Sequence, residues 1–306
     1  MTGTVRIIGA PTDYGANRRG VDMGPSALRY AGLADEIEDS GVACLDAGDL
    51  LAPLAEERTE DAGAAIEGDA KFLREVREVT GRLAEEVAGA HGDGVFPLVL
   101  GGDHSVAIGT LAGSARDADI GAVWFDAHGD FNTPETSPSG NVHGMPLSAA
   151  LGRGAFADRD WALAPGLDEE NVVWVGLRDV DDAEREAIRD SAATAYTMAD
   201  IDEYGINDVV KAALETATDG VDGIHVSLDV DWLDPQFAPG VGTPVKGGVT
   251  YREAHAAMET VADHDDAHDS LRSLEVVEVN PILGHHNETA ELAVELAASA
   301  FGKRVL

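Results

Sequence analysis

The sequence has few basic residues. Only 21 of its 306 residues are lysine or arginine, four of them lysine, against 57 aspartates and glutamates, so the formal net charge is −36. Nucleic-acid binding needs clusters of lysine and arginine that neutralise phosphates. The composition therefore argues against a nucleic-acid partner, and for the same electrostatic reason against binding to an anionic membrane surface.

Cysteine and long apolar runs are also scarce. The single cysteine, Cys44, excludes an intrachain disulfide, which fits a reducing compartment, and we expect a cytoplasmic protein. Cys44 lies in a predicted strand, where the expected role is that of a small buried hydrophobe. The start MTGTVRIIGAPTD lacks the pattern of a signal peptide. No apolar stretch approaches the ~20 residues needed to span a bilayer.

The acidity predicts a charged surface on a folded protein rather than disorder. Hydrophobic residues make up 44% of the chain and recur in regular patterns, which a disordered segment would lack. Acidic surfaces of this kind are typical of halophiles. We therefore expect a high-salt cytoplasm, where a Debye length of ~3 Å would screen the repulsion between surface carboxylates.

Short apolar runs alternate with helical patterns along the chain. This alternation predicts right-handed crossovers and a three-layer α/β/α fold with a parallel central sheet. No change in composition separates two halves, so we expect one domain over residues 1–306. The predicted strands are Val5–Ile8, Val42–Leu45, Val95–Leu100, Ile120–Phe125, Val172–Val175, Ile224–Leu228 and Leu271–Val279. The predicted helices are Pro25–Ala31, Ile66–Ala90, Val106–Leu111, Leu147–Leu151, Asp182–Ser191, Ile206–Ala217, Tyr251–Ala262 and Glu288–Phe301.

Metal-ligating side chains follow three of these strands. The segments FDAHGDF and SLDVDWLDP each place such side chains two residues apart, and in extended backbone residues two apart point to the same side. The segment GGDHS adds a histidine after a third strand. In sheets of this class, ligands bind beyond the carboxyl ends of the strands. We therefore expect a two-metal site formed by His104, Asp126, His128, Asp130, Asp229 and Asp231.

Two other interpretations of FDAHGDF are weaker. In so acidic a chain, a lone Asp-x-His would usually belong to a solvated loop, but the second Asp-x-Asp after another strand argues against coincidence. A calcium loop needs glycine at its sixth position and glutamate at its twelfth, where this chain has Phe131 and Ser137. Carboxylates combined with imidazoles favour Mn²⁺, with Zn²⁺, Fe²⁺ and Co²⁺ as alternatives.

The chemistry predicted for such a site is metal-assisted hydrolysis. Two ions ~3.5–4 Å apart lower the pKa of a bridging water and hold hydroxide at neutral pH. Asp130 is the candidate for passing its proton to a leaving group, and His143 is a candidate proton shuttle. Glu278 could bind a guanidinium in bidentate fashion, although a salt bridge or a helix cap is its ordinary role. Glu275, three residues earlier, is expected to face the opposite side.

Six other histidines are not assigned to the site. His264 and His268 stand four residues apart, a spacing that can bind metal on a helix, but we expect a solvated helix end or loop there. The other four are expected in a loop or on the surface, and they are His91, His255, His285 and His286.

The sequence resembles the arginase branch of the manganese ureohydrolases. The motifs GGDHS, DAHGDFNTP, SGNVHG, GLRDVD, SLDVDWLDP, GTPVKGGVTYRE and EVNPILG stand in that family's order. RRGVDMGPSALRYAGL and DAGDL, near the N-terminus, are similar too, so the resemblance covers nearly the whole chain. It implies an arginase-like α/β fold, assembly into homotrimers or hexamers, and two Mn²⁺ ions held by the six residues named above.

The resemblance also implies substrate-binding roles. His143 matches the family's proton shuttle and Glu278 the acid that receives the guanidinium. Thr243 is expected to line the same pocket, and Asp181 matches the position that binds the α-amino group. The positions that bind the α-carboxylate look like Asn132, Ser139 and Asn141, although Ser139 taken alone would be ordinary turn chemistry.

The predicted reaction is hydrolysis of L-arginine to L-ornithine and urea through attack by a metal-bridging hydroxide. Agmatinases resemble the chain at the metal motifs but lack the full loop that follows them, because their substrates carry no α-carboxylate. An agmatinase or another guanidino or formimidoyl amidinohydrolase is the alternative within enzymes. A non-catalytic metal-binding regulator is the alternative of another class, and it would be expected to have lost a ligand or Glu278.

Overall fold

The computed structural model describes residues 3–16, 20–53 and 70–304. Within these ranges, eight parallel strands form one sheet in the order β2-β1-β3-β8-β7-β4-β5-β6. Their bounds are β1 Thr4–Ala10, β2 Ala43–Asp49, β3 Phe96–Gly101, β4 Ile120–Phe125, β5 Leu167–Leu177, β6 Thr194–Thr197, β7 Gly223–Asp229 and β8 Leu271–Val277.

Helices cover both faces of this sheet. One face packs against α1, α2 and α7–α10, and the other against α3–α6. The central strands β4 and β7 are buried along their whole length because both faces are covered. The helices are α1 Gly24–Tyr30, α2 Leu33–Glu38, α3 Leu73–Gly92, α4 Ala107–Ser114, α5 Pro146–Ala150, α6 Asp182–Asp190, α7 Met198–Tyr204, α8 Ile206–Ala217, α9 Tyr251–His268 and α10 Glu288–Ala300. The predicted α/β/α layers are confirmed.

The pattern of apolar residues located most elements but not all. The bounds predicted for β4 and α8 agree with the structure, whereas β6, α2 and α7 were not predicted. The strand β6 has the sequence TAYT at an edge of the sheet and is only partly buried, so it lacks an apolar run. The predicted helix Ile66–Ala90 begins later, at Leu73, because Phe72 has a φ of 53°. Residues 66–69 of that prediction lie outside the described residues.

Two residue-level predictions change in detail. A proline in the predicted strand Val95–Leu100 suits either the start of a strand or an edge strand. Pro97 is the second residue of β3, so the first expectation is right, and the second is wrong because β3 lies between β1 and β8. Cys44 lies on the edge strand β2 and is partly rather than fully buried. Burial and the nearby carboxylates of Glu38 and Asp46 raise the pKa of its thiol to about 11. Among the described residues, no helix is both long and apolar enough to cross a membrane.

The order of the strands determines where the polar clusters meet. Strands β3, β8, β7 and β4 are consecutive neighbours in the sheet, and all run in the same direction. Their carboxyl ends therefore lie side by side at one edge of the molecule. His104 follows β3, Glu278 follows β8, Asp229 ends β7 and Asp126 follows β4.

Candidate active site

Each Asp-x-His or Asp-x-Asp segment closes a tight turn at the end of its strand. Asp126 Oδ1 accepts a hydrogen bond from the backbone N–H of His128 at 2.7 Å. Asp229 Oδ1 accepts the equivalent bond from the N–H of Asp231, also at 2.7 Å. Such local side-chain bonds are typical of aspartate at turns. In both cases the second residue of the motif is turned toward the same space as the first.

The six predicted ligands converge into two groups that share Asp126. In the first group, His104 Nδ1 lies 3.1 Å from Asp126 Oδ2, 2.8 Å from Asp130 Oδ2 and 3.1 Å from Asp229 Oδ2. In the second, His128 Nδ1 lies 3.4 Å from Asp126 Oδ1 and 3.1 Å from Asp231 Oδ2. Among the described residues, the sets of three or more mutually close metal-ligating side chains are His104–Asp126–Asp130 and Asp126–His128–Asp231.

The buried negative charge of these groups would be stabilised by bound cations. Burial, together with the neighbouring Asp126 carboxylate, raises the pKa of Asp130 to about 6. Burial and the Asp231 and Asp126 carboxylates raise the pKa of Asp229 well above its usual range. The buried atoms His104 Nδ1 and Asp130 Oδ2 lie 2.8 Å apart, but neither makes a hydrogen bond of acceptable geometry. Four carboxylates and two imidazoles form a nitrogen and oxygen donor set, which fits two divalent ions such as Mn²⁺.

Aromatic side chains hold the metal-ligating groups in place from the core side. The Trp124 ring stacks on His104, with centroids 4.4 Å apart and planes 8° from parallel. Its Nε1–H also donates to Asp126 Oδ2 at 3.1 Å. Trp174 donates to the carbonyl of Gly129 at 2.8 Å and meets Phe131 edge to face. The turn from residue 126 to 131 is therefore anchored by two buried indoles.

Glu278 joins the metal groups to His143. Its Oε1 accepts from the backbone N–H of His104 at 3.0 Å and lies 3.1 Å from His143 Nδ1. Although burial acts to lower it, the pKa of His143 is raised by Glu278. The expectation that Glu275 faces the opposite side is wrong, since Glu275 Oε1 lies 3.8 Å from His104 Nε2. Glu278 has a φ of 64°, so strand alternation does not extend to it.

A cavity of about 220 Å³ opens in front of the metal-ligating groups. Of the residues predicted to bind substrate or move protons, those that line it are Asp130, Asn132, Ser139, His143, Asp181 and Thr243. Glu278 is buried and is not one of the lining residues. Asn141 is not part of the lining: its Nδ2 donates to the carbonyl of Ala16 at 3.3 Å, and its Oδ1 is buried without a partner.

Thr243 and Asp181 are themselves hydrogen-bonded. Thr243 Oγ1 donates to Asp231 Oδ2 at 2.8 Å. Asp181 caps helix α6, because its Oδ1 accepts from the N–H groups of Ala183 and Glu184. Its Oδ2 accepts from Asn132 Nδ2 at 2.7 Å. Both side chains therefore hold neighbouring parts of the site in position.

The cavity lining also contains residues that were not predicted, among them Asp179 and Glu184. Glu184 Oε1 accepts from the backbone N–H of Phe131 at 2.9 Å. Burial, followed by the Asp130 and Asp181 carboxylates, raises the pKa of Glu184 to about 8. A signal for it was present: Asp181 and Glu184 have the spacing of a helix-capping pair, which places the glutamate beside its cap.

The remaining histidines lie away from this cavity. His264 and His268 lie at the C-terminal end of α9, which ends at the exposed His268, so the expected solvated helix end is right and the loop is wrong. Their rings are 4.6 Å apart, and His264 Nδ1 lies 2.9 Å from Ser270 Oγ. His91 and His255 are partly buried rather than fully on the surface. His285 and His286 lie in the turn before α10, as predicted.

Comparison with known proteins identifies the family of this chain. The model of the Arginase family matches residues 3–302. The chain belongs to the arginase family. A curated arginase from Bacillus subtilis is 47% identical over 309 residues, covering 100% of both chains. The resemblance predicted from the motifs is confirmed over the full length.

Solved structures agree with this assignment. An arginase from Bacillus caldovelox matches with a TM-score of 0.92 and 45% identity, covering 99% of this chain and 100% of that one. An Entamoeba histolytica arginase in complex with L-ornithine matches with a TM-score of 0.86 and 31% identity, covering 98% and 99%. The predicted arginase-like α/β fold is therefore confirmed.

Proposed function

We propose that this protein hydrolyses L-arginine to L-ornithine and urea with two Mn²⁺ ions. The observation that carries the proposal is the convergence of all six predicted ligands on two groups that share Asp126, beside a polar cavity. Full-length relatives at 47% identity that are named arginases support the choice of arginine. The relative solved with L-ornithine supports the proposed product.

His104, Asp126, Asp130 and Asp229 would hold one ion, and His128, Asp126 and Asp231 the other. When bound, such a pair of ions lowers the pKa of coordinated water and supplies a nucleophile at neutral pH. Asp130 lies both among these ligands and on the cavity wall. We assign it the transfer of a proton from the nucleophile to the departing amine.

His143 and Glu278 act as a pair in this proposal. Glu278 holds His143 Nδ1, so Nε2 is the ring nitrogen that can exchange a proton with ornithine as it leaves. Glu278 uses Oε1 for its contacts with His104 and His143. Its second oxygen, Oε2, can receive the substrate guanidinium, whose positive charge a buried carboxylate attracts strongly.

The other end of the cavity would bind the amino-acid part of the substrate. Asn132 and Ser139 would donate hydrogen bonds to the α-carboxylate, with Asn141 as the third predicted residue. Asp181, together with the unpredicted Glu184, would face the α-ammonium group. Thr243 would line the pocket while it holds Asp231. A substrate bound in this way places its guanidinium at the metal-ligating end.

The decisive experiment compares urea release from L-arginine and from agmatine by the Mn²⁺-loaded protein. We expect arginine to be hydrolysed with the higher kcat/KM, and about two Mn²⁺ to be bound per chain. Faster turnover of agmatine would overturn the choice of substrate. Two bound ions with no hydrolysis of any guanidino compound would instead favour a non-catalytic regulator.

Several broader predictions rest on the family resemblance and on composition. We propose one domain over residues 1–306, and the continuous sheet from β1 to β8 supports this. Homotrimers or hexamers, a cytoplasmic location and adaptation to high salt stay predictions. Sedimentation of the Mn²⁺-loaded protein would test the assembly.

A further inference from the structure

A stripe of buried polar side chains lies behind the first metal-ligating group. Strands β7 and β8 pair in register, with Ser227 opposite Glu275 and His225 opposite Ser273. Two residues of α4, Thr110 and Ser114, cover these four from above through hydrogen bonds to Glu275 and Ser273. All six side chains are 0% exposed. A buried carboxylate is unfavourable unless its oxygens are hydrogen-bonded or it is paired with an opposite charge.

Glu275 is held by hydroxyl groups on both of its oxygens. Ser227 Oγ donates to Oε1 at 2.8 Å, and Thr110 Oγ1 donates to Oε2 at 2.6 Å. His225 Nε2 lies 3.3 Å from Oε1. The carboxylate therefore has a fixed orientation, and it is the acceptor in both hydroxyl contacts.

This arrangement determines which nitrogen of His104 carries a hydrogen. Ser227 has one hydroxyl hydrogen, and that hydrogen points to Glu275. His104 Nε2 lies 2.7 Å from the same Oγ, so Nε2 must be the donor in that contact. In the neutral ring, the form that can bind a metal, Nδ1 then keeps its lone pair, and Nδ1 is the atom that faces Asp126, Asp130 and Asp229. A histidine can bind a metal only through a nitrogen with a free lone pair.

We propose that Glu275 is a positioning residue that fixes the metal-binding tautomer of His104 by taking the hydroxyl hydrogen of Ser227. Without Glu275, Ser227 is free to turn its hydrogen toward His104 Nε2. Nδ1 would then have to carry the ring hydrogen, and it would have no lone pair left with which to bind the metal. This inference rests on the proposed metal-binding role of His104.

Among the described residues, the second metal-ligating group has no buried carboxylate and hydroxyl pair behind its histidine, His128. The His128 side chain is 24% exposed, against 1% for His104, and its Nδ1 contacts Asp126 and Asp231. Loss of Glu275 should therefore lower the affinity for one of the two ions and leave the affinity for the other unchanged. A general loss of folding would lower the affinity for both ions.

The test measures Mn²⁺ binding by equilibrium dialysis rather than activity. Glu275→Leu keeps a side chain of similar size in the core. We expect one of two Mn²⁺ ions to bind ~10–100-fold more weakly, the range typical for residues that orient a metal-binding histidine. Ser273→Ala, in the same stripe but without a contact to His104, is the matched control and should bind both ions as the wild type does.

A double-variant comparison separates this role from a merely structural one. If Glu275 acts through the Ser227 hydroxyl, then Glu275→Leu should cause no further loss of Mn²⁺ affinity in a protein that already carries Ser227→Ala. Additive losses would overturn the proposal, and so would unchanged binding by a folded Glu275→Leu variant. If that variant does not fold, Thr110→Val releases only Oε2, and it should weaken the same single ion. Failure of the wild type to bind two ions would instead refute the metal centre itself.

Discussion

The loop after β4 has two halves that are built differently. The metal half, residues 126–131, is anchored by side chains outside it: Trp124 from the preceding strand, and Trp174 and Glu184 from more distant parts of the chain. The middle of the substrate half, residues 132–143, bonds largely to itself, while Asn132, Asn141 and His143 bond to residues outside it. Gly140 N–H donates to Ser137 Oγ at 2.9 Å, and Asn141 N–H donates to Ser139 Oγ at 3.1 Å.

This difference suggests that the metal half determines the chemistry and the substrate half determines which substrate binds. A group held by buried indoles and a helix can keep the geometry that a two-metal reaction needs. A loop that depends on its own short hydrogen bonds can change sequence without disturbing the sheet below it. Substitutions in the metal half should therefore reduce kcat, whereas substitutions around the substrate half should raise KM.

The largest effect on turnover is expected for Asp130→Asn. The amide keeps the shape of the side chain but cannot carry the proton, so kcat should fall ~10²–10⁴-fold. Urea release at saturating arginine measures it, and circular dichroism checks the fold. Asp182→Asn is the matched control because the Asp182 side chain is 99% exposed. Full activity of Asp130→Asn would refute the proton-transfer role.

A smaller effect, confined to substrate binding, is expected for Asp181→Ser. Serine still caps α6, so the helix should be retained, but the charge that faces the α-ammonium group is lost. The kcat/KM for arginine should fall ~10–100-fold, as for the loss of a hydrogen bond to a charged group. The deaminated analogue 5-guanidinopentanoate should show little change. Equal losses for both substrates would contradict the assignment of Asp181.

The sequence was sufficient to predict the convergence of the metal half but only part of the substrate half, since Asn132, Ser139 and His143 line the cavity and Asn141 does not. Asp126, His128 and Asp130 follow an apolar strand at a spacing of two, which local backbone geometry converts into convergence. Asn141 instead bonds to the carbonyl of Ala16, a partner 125 positions away. Glu184 reaches the site only through the packing of α6. No short-range pattern reports such contacts.

Glu275 shows the limit of counting along a strand. Alternation would place residues 275 and 278 on opposite sides, but Glu278 lies beyond β8 in a left-handed conformation. The register of β7 against β8 brings Glu275 beneath His104, and register depends on the whole sheet.

Glu184→Gln should change how stability depends on pH, because the Glu184 carboxyl group is buried beside the metal half, where it accepts from Phe131 N–H. Its folded pKa of about 8 lies above the ordinary value of 4.5. Between these values the unfolded chain releases the proton first, so wild-type stability falls as pH rises and the loss is complete above pH 8. Glutamine cannot ionise and still accepts from Phe131 N–H. In urea unfolding of the metal-free protein, the variant should gain stability over the wild type from pH 5 to pH 9. The exposed neighbour Glu186→Gln is the control, and a constant difference would contradict the prediction.

Salt is expected to have the smallest effect on metal binding at the site, although it should clearly change the stability of the whole chain. The 57 acidic residues repel one another across the surface, and at ~1 M KCl a Debye length of ~3 Å screens that repulsion. The free energy of unfolding should therefore rise with KCl. Asp126 and Asp229 are buried, and buried charges are screened much less, so Mn²⁺ affinity should change little over the same range. Full stability at low salt would contradict the high-salt adaptation. A steep fall in Mn²⁺ affinity with KCl would show that the metal half is open to solvent ions, and the contrast between the two halves would then fail.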